Sequence, residues 1–317
     1  MKEKFKKAVT DRGQIAVTMS EGKGVWKADK KELTQQIIAV CDEYRAAGDV
    51  LSLRQLYYQL VAKNAIANDI KVYKKLSVLK DQLCYAGILD WKCFEDRGRR
   101  AIGWYYEHSI KSALDRTAYG YKLDRSLNQS NIVEVWIEKD AISEIMKSIA
   151  SKYGVKLCVN KGYMGTSAIY EAYQRFSEEL NCGNTVTILY FGDHDPSGLD
   201  MVRDIRDRLT FMFENGSQCT YFDEGDFKVI PIGLNMDQIK KFNLPPNPAK
   251  LSDSRSPEYI EKYGPMSWEV DALKPAVMRE ILEGHIVEQY DMNIYRETLA
   301  QEAVDQAKIR KLIDKIK

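Results

Sequence analysis

Asp193 and Asp195 stand one residue apart, directly after the apolar run Thr185-Val186-Thr187-Ile188-Leu189-Tyr190-Phe191-Gly192. In extended backbone, residues i and i+2 point to the same side, so the two carboxylates can converge on one point. Their mutual repulsion is most simply offset by a hard cation with oxygen ligands, such as Mg²⁺. A third carboxylate, Glu138, closes a similar run, Val135-Trp136-Ile137-Glu138. If the two runs are neighbouring strands, all three carboxylates lie at one sheet edge. A Mg²⁺ ion there could position a phosphodiester and stabilise charge on its oxygens. Plainer roles are open to each residue. Asp195 could cap a helix, Asp193 could be solvated, and Glu138 or Asp140 could complement a helix dipole.

A second constellation is Leu53-Arg54-Gln55-Leu56-Tyr57-Tyr58-Gln59-Leu60. On a helix, Leu53, Leu56, Tyr57 and Leu60 share one face, which places Tyr57 in the core and rotates Tyr58 off it. Arg54 precedes Tyr58 by four residues and lies alongside it. A free phenol ionises near pH ~10. An adjacent guanidinium favours the phenolate and can hold a phosphate under attack. A tyrosine pair on a helix, taken alone, more often packs than reacts.

The elements that must position these residues follow two patterns. Leu33 to Ala47, Leu53 to Ala62 and Val72 to Tyr85 read as helices, and Ile88 to Phe94 as a short strand. The basic loop Asp96-Arg97-Gly98-Arg99-Arg100 follows. Three short helices and a basic hairpin-like tail suggest a winged-helix DNA-binding domain. Its third helix, with Lys71, Lys74 and Lys75, would enter the major groove. Residues 1–30 read as an N-terminal arm, and 31–128 as the winged-helix domain with its tyrosine helix. Residues 129–317 form an α/β domain with a C-terminal helical extension. Within it strands and helices alternate: Ile132 to Ile137, Ile142 to Tyr153, Val155 to Val159, Ser167 to Leu180, the Val186 strand, Leu199 to Phe213, then Phe227 to Ile232. This alternation predicts a mainly parallel sheet. Residues 243–257, with four prolines, read as a stiff irregular loop, and Trp268 onward as helix.

Composition narrows the classes. The chain has 317 residues, 44% of them hydrophobic, enough for two domains with real cores. There is no apolar run of the roughly 20 residues a membrane span needs, and no signal-peptide pattern at the start. Six scattered cysteines without a Cys-x-x-Cys pair suggest reduced thiols and a cytoplasmic location. Residues 1–130 carry 24 Lys and Arg against 16 Asp and Glu, a balance of +8; the remainder carry 23 against 30, a balance of −7. A basic front half suits a phosphate backbone, and an acidic back half suits a metal site. All eight prolines lie at or beyond Pro196.

Together these motifs resemble the topoisomerase VI A subunit and its relative, the meiotic double-strand-break transesterase. Arg54-Gln55-Leu56-Tyr57-Tyr58 resembles that family's active-site helix. The segment ending in Glu138 and the stretch Asp193-His194-Asp195-Pro196-Ser197-Gly198 resemble the two acidic motifs of a Toprim domain. Lys161-Gly162-Tyr163 resembles the family's glycine-bearing turn, and Trp268-Glu269-Val270-Asp271-Ala272-Leu273 a stretch that follows Toprim. The resemblance covers roughly residues 31–290, with the motifs in the family's order. It implies that Tyr58 attacks a DNA phosphodiester and stays joined to the 5′ end, with Arg54 assisting. Glu138, Asp193 and Asp195 would hold Mg²⁺. Duplex DNA would be the substrate and a homodimer the working form. Strand passage would draw on a separate ATPase subunit. Two other readings stay open: a Toprim nuclease that cuts with metal-bound water, and a DNA-binding subunit without catalysis.

Overall fold

The structure, a computed structural model, describes residues 30–94, 106–249 and 252–315. They fall into two units. The first takes its described residues from Met1–Arg99, Asp193–Ser197 and Gly233–Met278, the second from Arg100–Gly192, Gly198–Ile232 and Arg279–Lys317. The division is discontinuous in sequence, whereas composition suggests a single boundary between residues 128 and 129.

The first unit begins with three helices: α1 (Lys30–Ala46), α2 (Leu53–Ala62) and α3 (Ile70–Tyr85). In α1, Leu33, Ile37, Val40, Cys41 and Tyr44 recur at helical spacing, and all are buried. Ser52 caps α2 through a capping box: its hydroxyl accepts from the Gln55 N–H at 3.1 Å, and Gln55 Oε1 accepts from the Ser52 N–H at 2.8 Å. Asp69 caps α3 by accepting from the Lys71 N–H. Val72, Leu76, Leu79 and Leu83 form the buried face of α3. Lys71, Lys74, Val78 and Tyr85 lie on the opposite, exposed face, with Lys75 half-buried beside them. The expected strand over Ile88 to Phe94 is not formed. Trp91–Cys93 is a 3₁₀ turn capped by Asp90, and only Phe94 bridges to Leu51. A local cap therefore outcompetes extension of this apolar stretch. Arg97, Arg99 and Arg100, the basic residues expected in a wing, lie outside the described residues.

The rest of this unit comes from far along the chain. It includes α8 (Met236–Lys241), the strand pair β5 (Asn247–Pro248) and β6 (Met266–Ser267), and α9 (Ser256–Tyr263). The expected irregular loop over 243–257 thus carries a short antiparallel pairing, Asn247 with Ser267 and Pro248 with Met266. Pro257 starts α9 instead of breaking order, because proline suits a helix's first turn. Trp268 onward is not yet helix: a 3₁₀ turn covers Val270–Ala272, and α10 (Pro275–Gln289) begins only at its own proline.

The second unit holds a four-stranded parallel sheet in the order β2-β1-β3-β4, with β1 Asn131–Ile137, β2 Lys156–Val159, β3 Thr185–Phe191 and β4 Phe227–Gly233. The expected pairing of the first and third strands is present: β1 runs parallel to β3, with Ile137 opposite Phe191. The strand–helix alternation also holds, through α5 (Ser143–Tyr153), α6 (Thr166–Asn181) and α7 (Pro196–Asn215). Trp136, Val186, Ile188 and Tyr190 form one sheet face and pack against Ile169, Tyr173 and Phe176 of α6 and Met201, Ile205 and Leu209 of α7. The alternate residues, Val135, Ile137, Leu189 and Phe191, are fully buried as well. Burial on both faces explains why these strands read as continuous apolar runs. This unit also includes α4 (Ile110–Gly120), before the sheet, and α11 (Met292–Ile313), after it. Among the described residues no helix is long and apolar enough to cross a membrane.

Candidate active site

Tyr58 lies in the first unit on α2. It is as buried as Tyr57, each 5% exposed, so the expectation that it turns away from the core fails. The reason is tertiary: α2 is covered on nearly all sides, and Gln55 and Gln59 are buried too. What surrounds the Tyr58 hydroxyl is polar. Asn247 Nδ2 donates to it at 3.1 Å, and the Glu269 charge acts on it from nearby. Asn247 is held in turn by Asn68, whose amide donates to Asn247 Oδ1 and to the Pro246 carbonyl and accepts from the Tyr57 hydroxyl at 2.8 Å.

Arg54 lies one turn before Tyr58, as its spacing requires, and its guanidinium is already engaged. Nη2 meets both Glu269 oxygens, at 2.7 and 2.5 Å. Nε lies 3.7 Å from Asp271, whose side chain is wholly buried. Burial works against the charge on Arg54, but Glu269 and Asp271 outweigh it and hold the guanidinium protonated. The Tyr58 phenol is pushed up to about 12, first by burial and then by the Glu269 charge; the Asn247 hydrogen bond and Arg54 oppose this only in part. The expected tilt toward phenolate is therefore reversed in this state.

The Asp-x-Asp segment belongs to the same unit and is tied to the same stretch of chain. Asp193 Oδ1 accepts from the Val270 N–H at 2.8 Å. His194 and Trp268 exchange backbone hydrogen bonds at 2.9 and 3.0 Å. His194 Nδ1 lies 2.8 Å from the Tyr259 hydroxyl, and burial pushes the imidazole toward its neutral form. Asp195 accepts from the Ser197 hydroxyl at 2.9 Å at the start of α7. Residues 268–271 thus receive Asp193 and His194 from one side of the sequence and Arg54 from another. Sequence reading singled out this stretch only by resemblance and assigned Glu269 no role.

Glu138 belongs to the second unit. Its N–H donates to the Phe191 carbonyl at 3.0 Å, and its carbonyl accepts from Lys161 at 3.0 Å, so it sits rigidly at the carboxyl edge of β1. Gly192 gives it room: a Cβ there would lie 2.8 Å from Glu138 Oε2 and 2.6 Å from the Tyr190 ring. Asn160, the next residue beyond β2, occupies the same edge, its N–H donating to Ile137. It is 91% buried, and neither side-chain atom finds a hydrogen-bond partner among the described residues. A buried orphan amide costs stability and calls for an explanation. Asn160 was missed in the sequence; its one signal was its position directly after a strand. Lys71 and Lys74 are exposed on α3 and Lys75 is half-buried.

Carboxylate and amide oxygens suit Mg²⁺ in kind. Among the described residues, no group of three or more His, Cys, Asp and Glu side chains is arranged to hold a metal ion. No protein-family model matches the chain, and no curated protein matches it in sequence.

Proposed function

We propose that this protein is a Mg²⁺-dependent DNA-cleaving transesterase of the topoisomerase VI A kind, a DNA-binding enzyme that links itself through Tyr58 to a 5′ phosphate. One observation carries this reading. Within a single unit, the Tyr58 hydroxyl accepts from Asn247, Arg54 one turn before it pairs with Glu269, and Asp193 fastens to the residue after Glu269. A tyrosine buried only for packing does not need an amide on its oxygen and an arginine–carboxylate pair one turn away.

Arg54 is the group that can hold a phosphate's oxygens, since its planar fork matches phosphate as well as carboxylate. Its present engagement with Glu269 makes the described state a resting one, in which substrate must compete for the guanidinium. Asp193 and Asp195, with Glu138 from the first acidic motif, are the oxygen donors that the sequence motifs offer to Mg²⁺. Bound there, the ion would neutralise charge on the phosphodiester. The exposed lysines of α3 would hold the DNA backbone. Cutting both strands of a duplex takes two tyrosines, hence two copies of the chain, and strand passage would take a separate ATPase subunit.

The test uses supercoiled plasmid, Mg²⁺ and denaturation, followed by detection of protein attached to 5′ ends. Adducts should form with the wild type and vanish with Tyr58→Phe and with Asp193→Asn. Burial of Tyr58 is the observation that favours a water-using nuclease instead. Free-ended cuts that survive Tyr58→Phe but not Asp193→Asn would establish that second reading.

A further inference from the structure

We infer that Asn160 is a ligand of a divalent cation, which it holds through Oδ1 beside the Glu138 carboxylate at the carboxyl edge of the sheet. The inference rests on the Mg²⁺-dependent reading above and adds a residue that the acidic motifs do not contain.

The ladder places the two side chains together. Trp136 of β1 stands opposite Cys158 of β2 and Tyr190 of β3, and all three belong to the sheet face that packs on α6 and α7. Glu138 and Asn160 each follow by two residues, which returns the side chain to that same face. The pairing persists to this row. The Asn160 N–H donates to the Ile137 carbonyl at 2.8 Å, and the Glu138 N–H donates to the Phe191 carbonyl at 3.0 Å. Lys161 then turns the chain away, with a φ of 53°. Asn160, Glu138 and Gly192 are therefore the last row on β2, β1 and β3. Neighbouring strands run about 4.8 Å apart, a gap that an amide and a carboxylate can close around one ion. Gly192 keeps the third position of the row clear, since a Cβ there would lie 2.8 Å from Glu138 Oε2.

Asn160 is the observation that calls for a ligand. It is 91% buried, and neither Oδ1 nor Nδ2 has a hydrogen-bond partner among the described residues. Such a group is costly to bury unless something outside the chain completes it. The adjacent carboxylate decides the sign of that ligand, because it attracts a cation and repels a phosphate. The donor atoms decide its kind. Amide and carboxylate oxygens are ligands for Mg²⁺, which keeps several waters and needs only one or two groups from the protein. With Oδ1 on the ion, Nδ2 can donate to a water in its shell. The rival occupant is a single buried water, which needs no metal.

The experiment titrates the whole chain as wild type, Asn160→Leu and Asn160→Asp with Mn²⁺ alone, a probe that takes the same oxygen ligands. Electron paramagnetic resonance reads free Mn²⁺, competition with Mg²⁺ checks that one site takes either ion, and circular dichroism with thermal melting checks folding. NMR follows the side-chain amides of wild type carrying isotope-labelled asparagine, with the Asn160 signal identified by its absence from either variant. Groups that only support a metal ligand are already worth about 10–100-fold in affinity. Asn160→Leu should therefore bind Mn²⁺ at least about 10-fold more weakly at its tightest site. Asn160→Asp keeps an oxygen and adds charge, so it should bind at least as tightly as wild type. Mg²⁺ should shift the Asn160 amide signal, and Mn²⁺ should broaden it away. Wild-type affinity in Asn160→Leu, an Asn160→Asp protein no tighter than Asn160→Leu, or an amide signal that ignores both ions overturns the assignment in favour of a buried water. If Asn160→Leu does not fold, Asn160→Asp and the amide signal decide. None of these readouts uses DNA, so the two failures separate. A wild type that binds the ion through Asn160 and forms no DNA adduct loses the transesterase reading alone. A wild type that forms adducts, with Asn160→Leu keeping full affinity for Mn²⁺, loses the Asn160 assignment alone.

Discussion

The Tyr58 hydroxyl accepts from the Asn247 amide, and burial, joined by the Glu269 charge, holds its proton against that bond and against Arg54. That has a measurable consequence for stability. The folded phenol is raised to about 12, whereas an unfolded tyrosine ionises near ~10. Below pH ~10 both states are protonated and the contribution is complete. As pH rises from ~10 toward 12, only the unfolded state loses its proton, so stability falls. Denaturant titrations across this window should show wild type losing more stability than Tyr58→Phe; equal losses would show that Tyr58 titrates normally. Asn160 leads to a second prediction. Its buried amide has no hydrogen-bond partner among the described residues, and replacing such a group by an apolar one of similar shape is neutral or stabilising. Asn160→Leu, measured without metal, should therefore be as stable as wild type or more so by about 1 kcal/mol. A clear loss of stability would mean that the amide already serves the fold.

Stretches of chain that are not themselves regular decide how the elements of the candidate site are held. The stretch 268–271 has two backbone bonds to His194, one to the Asp193 carboxylate and the Arg54 pair. Asp193 has one role in the structure, in which its oxygen fastens Val270, and a second in the proposed function, in which its charge serves a cation. Asp193→Ala removes both. Asp193→Asn keeps an acceptor for the Val270 N–H and removes the charge. Chemical denaturation should find the alanine variant less stable by about 1–3 kcal/mol and the asparagine variant closer to wild type, with DNA cleavage lost in both. If Asp193→Asn cleaves normally, the carboxylate is a structural fastener only. Gly192 shows the same logic at a strand end. With no Cβ it leaves the Glu138 carboxylate where the β1–β3 ladder delivers it.

At the scale of the whole molecule, charge and connectivity matter most. The first 130 residues carry a net +8 within a chain of net +1, and α3 exposes lysines opposite its buried stripe. Phosphate contacts release counterions, and each lowers the salt slope of binding by about 0.9. The triple variant Lys71→Ala, Lys74→Ala, Lys75→Ala should weaken duplex binding across unrelated sequences and reduce the salt slope by about 2–3. An unchanged slope would move the DNA-binding surface elsewhere. Connectivity is less regular than composition suggests. The helices of the front half share a unit with residues 193–197 and 233–278, so Tyr58 obtains its Asn247 and Glu269 neighbours from nearly 200 residues further along.

Local pattern alone determined much of this protein. Ser52 with Gln55 starts α2, and its residues 53–62 were legible to the residue, because caps and helical periodicity act over a few neighbours. The apolar runs of β1 and β3 were legible as strands, and their parallel pairing, which the sequence left as a condition, is present in the sheet. Tertiary structure alone decided the rest. The apolar stretch before Phe94 makes a 3₁₀ turn because Asp90 caps it. The proline-rich loop pairs with Met266–Ser267 because a distant strand reaches it. Tyr58 is buried because other segments close over α2, and helical spacing describes one helix and nothing of what covers it. Glu269 and Asn247 carry no local signal at all, for their significance lies in contacts that span about 190 to 215 residues of sequence. Spacing could identify residues able to do chemistry; only the packed chain could supply their neighbours, since the free energy of burial and pairing depends on contacts between distant segments.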